Sequence, residues 1–155
     1  MDFKINRKEL RFGFSFVEII TVLAIIATLS TIVVMSFSDA GSKQALEKTT
    51  ISIISILNEA KSMSISSKDF SGYGVRIESN KLTSFKGTYG TENKVYNVSN
   101  LVSISDISIE GGSDVVFKKI SGSTNATGTI TISINNNLAE SNTIKISKTG
   151  LVEKI

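Results

Sequence analysis

The sequence predicts an α+β fold. A long N-terminal helix, transmembrane in its first half and amphipathic in its second, packs on a C-terminal antiparallel β-rich head. Three observations carry this reading. The 24 residues from Phe14 to Phe37 contain one charge, Glu18. Apolar residues over 43–66 then recur at helical spacing. From Ser67 onward the pattern changes to short alternating runs separated by Gly, Asn and Ser.

Taken in order, residues 1–13 form a basic leader. Lys4, Arg7, Lys8 and Arg11 stand against Asp2 and Glu9. Residues 14–37 form the apolar half of the helix. At about 1.5 Å per residue it reaches about 36 Å, enough to cross a hydrocarbon core of about 30 Å. The leader charges hold that end in the cytoplasm, so the chain makes a single pass with its C-terminus outside. Glu18 is out of place in such a span, because a carboxylate in lipid is costly and marks function. A secretory signal peptide cut at Ser38-Asp39-Ala40 is the rival reading. The apolar run is too long for one, and Glu18 does not belong in its core.

Residues 38–66 form the soluble half of the helix. Ser38-Asp39-Ala40-Gly41-Ser42 predicts a polar break where the helix leaves the membrane or loosens. Leu46, Ile53, Ile54, Leu57, Ala60 and Ile65 mark the face that packs on a sheet. Thr49, Thr50 and Ile51 weaken helix propensity there, so tertiary packing has to hold it. No proline interrupts the helix.

Residues 67–155 form the head. Val75 and Ile77, a Ser79-Asn80 turn, and Leu82 to Phe85 predict a hairpin. Val95 to Val98 is a short strand. Val102 and Ile104 fall out of phase with Ile107 and Ile109, which predicts a bulge or a turn at Ser105-Asp106. Val115 to Ile120 reads as a strand, and Ile130, Ile132 and Ile134 as another. Asn135-Asn136-Asn137 reads as a turn or loop. Ile144 and Ile146 lie on a strand that turns at Thr149-Gly150 into Leu151 to Ile155.

The leader, Gly13, Phe14 and Glu18 together resemble the signal of type IV prepilins, shared by pilins and by the pseudopilins of type II secretion. The family's common form is Gly-Phe-Thr-Leu-Ile/Val-Glu. Here Gly13-Phe14-Ser15-Phe16-Val17-Glu18 departs at Ser15 and Phe16. The resemblance implies cleavage between Gly13 and Phe14 by a prepilin peptidase, N-methylation of Phe14, and an assembly role for Glu18. Further pieces look like minor pilins and pseudopilins of the GspH/FimT type: Asn58-Glu59-Ala60-Lys61, Tyr73-Gly74-Val75-Arg76-Ile77, Gly128-Thr129-Ile130-Thr131-Ile132-Ser133, and Ile144-Lys145-Ile146-Ser147-Lys148-Thr149-Gly150. That likeness thins between Lys86 and Gly112.

The implied function is that of a structural subunit of a type IV pilus or type II secretion pseudopilus. Its partners would be the peptidase, other pilin or pseudopilin subunits, the inner-membrane assembly platform and membrane lipid. It would sit first in the cytoplasmic membrane and then in a fibre in the periplasm or at the cell surface. The alternative is a membrane-tethered minor pilin that binds DNA during uptake. Some FimT-like members are thought to do so through arginines after the Thr/Ser-Gly turn, where this chain has Leu151 and Glu153. Lys145, Lys148 and Lys154, joined by Lys118 and Lys119 if the strands align, leave only weak, salt-sensitive DNA binding to be expected.

Composition excludes several other classes. The chain has no histidine and no cysteine, so the commonest general base, metal ligands and disulfides are missing. The formal charge of +3 is largely the leader's. Removing residues 1–13 takes away 4 basic and 2 acidic side chains and leaves +1. Gly72-Tyr73-Gly74 lacks the third glycine of a dinucleotide loop. Asp106, Glu110 and Asp114 do not have EF-hand spacing. The sequons at Asn97 and Asn125 read as chance. No enzyme activity, cofactor or metal is expected.

Overall fold

The computed structural model describes residues 13–66, 71–90 and 94–155, without the side chains of 32–38. The expected leader therefore lies outside the described residues apart from Gly13. The elements are α1 (Phe16–Ile65), β1 (Tyr73–Glu78), β2 (Lys81–Lys86), β3 (Lys94–Asn97), β4 (Val102–Ile109), β5 (Asp114–Phe117), β6 (Gly128–Ile134), β7 (Asn137–Ile146) and β8 (Val152–Lys154). The chain divides into two compact units, Met1–Ser38 and Asp39–Ile155. The expected loosening at Gly41 does not occur, because helical backbone continues through it. A single glycine costs a helix interior only about 1 kcal/mol relative to alanine, too little to end one this long.

In the first unit, the described part of α1 is apolar on every face. In the second, α1 buries one stripe. Leu46, Thr49, Thr50, Ile53, Ile56, Leu57, Ala60 and Ser64 are buried at helical spacing. This stripe differs from the expected one. Ile54 is half-buried, Ile65 is 45% exposed, and threonines and a serine take part. The hydroxyls of Thr50 and Ser64 are satisfied. Thr50 donates to the Leu46 carbonyl at 2.8 Å and accepts from Asn142 at 3.1 Å, and Ser64 accepts the Tyr73 N–H at 2.9 Å. A hydroxyl paired in this way is buried without the usual desolvation penalty.

The strands form two four-stranded antiparallel sheets, ordered β3-β2-β1-β5 and β4-β6-β7-β8. Their inner faces meet the helix stripe in one core that includes Val75, Ile77, Phe117, Ile130, Ile132, Ile144 and Ile146. Fully burying each such side chain contributes about 1.5–3 kcal/mol. The β1–β2 hairpin has the expected two-residue turn, with Glu78 opposite Lys81. The phase slip in β4 is a bulge between Ile104 and Asp106 within one strand.

Two expectations about strand ends are corrected. The strand expected to reach Ile120 stops at Phe117. Gly122 N–H bonds back to the Lys118 carbonyl at 2.9 Å, and Ile120 has φ of 66°, which no strand residue adopts. The turn expected over Asn135–Asn137 is shorter, because Asn137 already belongs to β7.

Candidate functional site

Gly13, Phe14 and Ser15 precede the helix, which starts at Phe16. The Ser15 carbonyl accepts the Ile19 N–H at 3.2 Å, so Ser15 is the N-cap and Glu18 lies in the first turn. In the sequence Ser15 reads only as a departure from the prepilin form, not as a cap. Serine followed three residues later by glutamate is the spacing of a capping box, and that signal was there to be read. The Glu18 carboxylate also stands at the positive end of the helix dipole. Phe14 and Glu18 come together in one shallow apolar groove with Ile19, Val22 and Leu23.

Every residue from Gly13 to Thr31 is exposed, including Phe14 at 80%, Phe16 at 76% and Leu23 at 60%. The hydroxyls on this stretch turn inward to the backbone. Thr21 donates to Val17, Thr28 to Ile25, Ser30 to Ile26 and Thr31 to Ala27, at 2.7–3.0 Å. Such a surface offers its surroundings almost no unmet polar group except Glu18. Among the described residues, no helix is long and apolar enough to cross a membrane. The described side chains of α1 in this unit stop at Thr31, and residues 32–37 of the expected span lie outside them.

Polar clusters in the head serve to join its elements. Arg76 donates to both oxygens of Asp114 at 2.6 Å, and its guanidinium lies 3.5 Å over the Tyr89 ring. Hydrogen bonding to Asp114 drives the Arg76 pKa up. Tyr89 stands edge-on to Phe85 at 5.7 Å, so the cluster pins the loop after β2 to β1 and β5. Asp114 is therefore engaged, and Glu110 accepts from the Thr127 hydroxyl at 2.8 Å. Among the described residues, no three acidic side chains gather where a metal would need them.

A second seam ties α1 to β7 and β8. Glu47 accepts from Lys154 at 2.6 Å and from Asn142 at 3.2 Å, and Lys43 meets Glu140 at 2.9 Å. The hydrogen bond from Lys154 holds the Glu47 carboxyl below its ordinary range. A depressed carboxylate stabilises the fold above its unfolded pKa, and the contribution is lost as pH falls through the folded value. We expect the melting temperature of the full-length chain in detergent to fall more steeply between about pH 5 and pH 3 than that of Glu47→Gln. Parallel curves would show that the seam carries no pH-dependent stability.

Of the five lysines considered for DNA, two are placed against acids. Lys154 is held by Glu47, and Lys145 lies opposite Glu153 in the β7–β8 register. Lys118, Lys119 and Lys148 remain exposed. The Lys148 carbonyl accepts from Thr124 N–H and the Lys118 N–H donates to the Ser123 carbonyl, which brings their backbones to one end of the head.

No family model and no curated protein matches the chain. Solved structures do. The type IV minor pilin FimU of Pseudomonas aeruginosa superposes with a TM-score of 0.57 at 12% identity, covering 72% of this chain and 88% of that one. The minor pseudopilin EpsH from the type 2 secretion system of Vibrio cholerae superposes with a TM-score of 0.57 at 15% identity, covering 73% and 94%. The chain has the minor-pilin fold. The α+β class expected from periodicity is thus observed, and the GspH/FimT resemblance is matched by a likeness in three dimensions. Both neighbours of the minor-pilin fold are pilins or pseudopilins by description, and neither is described as an enzyme.

Proposed function

We propose that the chain is a minor pilin or pseudopilin, a structural subunit of a type IV pilus or a type II secretion pseudopilus. In this reading a prepilin peptidase cuts between Gly13 and Phe14 on the cytoplasmic side, and the Phe14 amine is methylated. Residues 14–37 anchor the subunit in the cytoplasmic membrane, C-terminus outside. The assembly platform then moves it into a fibre beside other pilin subunits. The observation that carries the reading is the N-terminus of α1. One carboxylate, Glu18, stands in the first turn of α1, whose stretch to Thr31 carries no other charge and is exposed throughout, in a chain with the minor-pilin fold. An all-round apolar helix is stable only against lipid or other helices. DNA uptake is the weaker reading, because the ion pair of Lys154 and the placement of Lys145 beside Glu153 take up two of the five lysines considered for it.

Processing is directly testable. Mass spectrometry of the protein extracted from its native membrane should find methylated Phe14 as the first residue, and Gly13→Leu should leave the leader attached. An N-terminus at Gly41, or an intact leader on the native chain, would sink the proposal.

A further inference from the structure

The β5–β6 loop carries a residue type that its backbone conformation does not favour. Ile120 has φ of 66°, and no other described non-glycine residue has positive φ. A β-branched side chain is strained there. Its side chain is also 77% exposed, so burial within the chain does not offset the strain. The backbone reason is local. Ile120 N–H donates to the Ser64 carbonyl at 3.1 Å, which satisfies a carbonyl in the last turn of α1. Any residue with an N–H can do that, and asparagine or glycine would adopt the conformation at less cost. Isoleucine at this position is thus not explained by the backbone conformation it adopts.

The surroundings describe what it meets. The loop is locked in place. A Cβ at Gly122 would lie 2.8 Å from Ile65 Cδ1 and 3.1 Å from Lys61 Cε, and one at Gly150 would lie 2.1 Å from the Gly122 carbonyl oxygen. Three segments therefore converge, and each leaves an apolar side chain in water: Ile65 at 45%, Ile120 at 77% and Leu151 at 50% exposure. Lys118 and Lys119 directly precede Ile120, Lys148 precedes the Gly150 turn and Lys61 Cε approaches Gly122 and Gly150, and none of the four is in an ion pair among the described residues. A rigid apolar knob inside a cationic rim fits a pocket that is apolar at its centre and acidic at its edge. A lipid surface needs no strained, pre-set side chain, since fluid chains accept an apolar residue in any conformation. A second copy of this chain is a poor match, because Glu110 and Asp114, which edge a cleft with Val116 and Ala126, are already engaged by Thr127 and Arg76, and Lys118 lines the same cleft.

We propose that this corner of the head docks Ile120, flanked by Ile65 and Leu151 and rimmed by these lysines, into an acid-edged apolar pocket on a different protein subunit. The inference deepens the fibre-subunit reading and rests on it.

The test places a photocrosslinking amino acid at the exposed Ser121 of the full-length chain in its native cells and sequences the crosslinked peptide. The expected product joins the loop to another protein, at a segment that combines Asp or Glu with apolar residues. Yield should fall at least about tenfold with Ile120→Asn and with Lys118→Glu combined with Lys119→Glu. Ile120→Asn should also keep or raise the melting temperature of the purified full-length chain in detergent, because it relieves strain while removing the anchor. Crosslinking to lipid or to a second copy, absence of any crosslink, or a yield indifferent to Ile120→Asn would each overturn the proposal. A melting temperature lowered by Ile120→Asn would overturn it too, by giving the side chain a role in the fold. The N-terminal mass of the same sample reports separately on the fibre-subunit reading, since an uncut leader defeats that reading whatever the loop contacts.

Discussion

Replacing Gly150 by alanine should destabilise the head by about 3 kcal/mol or more, a large share of the 5–15 kcal/mol typical of a domain. Two costs combine. Gly150 has φ of 73°, where an L-residue with a Cβ loses about 1–2 kcal/mol. The new Cβ would also lie 2.1 Å from the Gly122 carbonyl oxygen, so one backbone segment has to move. Movement is restricted on both sides. Gly150 N–H closes its turn on the Ser147 carbonyl at 2.8 Å, and Ser147 N–H bonds to the Leu151 carbonyl at 2.9 Å. The melting temperature of the full-length chain in detergent should fall by roughly 10–15 °C, followed by the β-sheet circular dichroism signal. Gly41→Ala is the control. Nothing lies within 4 Å of a Cβ there and the backbone is helical, so the substitution should stabilise by about 0.5–1 kcal/mol. Equal melting temperatures for Gly150→Ala and the unsubstituted chain would refute the claim that the turn is packed against Gly122.

What could be read in advance follows from how local each signal is. The β1–β2 hairpin was legible because its turn, Ser79-Asn80, lies between two runs of period two that are neighbours in sequence. The bulge in β4 was legible because one extra residue at Ser105 inverts the phase of the isoleucines that follow. The end of β5 was not, because Val115 to Phe117 and then Ile120 are strand formers with only two lysines between them. What stops the strand is the turn closed by Gly122 on Lys118, with Ile120 N–H drawn to a carbonyl of α1 far away in sequence. Thr50 and Ser64 were not legible as core, since a polar residue reads as surface until its hydroxyl is seen to be paired. The division into two sheets left no trace at all. Pairings such as Tyr73 with Phe117 join segments whose alternation would suit many partners. The same contrast holds for the sites. Gly13, Phe14 and Glu18 sit in one short motif, whereas Ile65, Ile120 and Leu151 come from three separate segments that only the fold brings together.

Glu18→Ala should leave insertion and leader cleavage intact and reduce incorporation into fibres at least about tenfold. After cleavage at Gly13, the chain presents a positive amine at Phe14 and a carboxylate one helical turn later, both beside the same apolar groove. Among packed apolar helices either charge alone is strongly penalised. Opposed to a charge on an adjacent subunit, each offsets the other's desolvation. On the proposed reading the amine of one subunit and Glu18 of its neighbour would make such a pair, and the cost of burying Glu18 would be recovered only on assembly. The capping-box spacing from Ser15 to Glu18 offers a competing role, in which the side chain merely closes the first turn of α1. Glu18→Gln separates the two. Glutamine serves the N3 position of a capping box as well as glutamate does, but it carries no charge. If pairing with an amine is the role, Glu18→Gln should be excluded from fibres like Glu18→Ala, with both variants cut at Gly13 and recovered from the membrane fraction. If Glu18→Gln assembles at the native level, closing the helix is the role and the charge is dispensable.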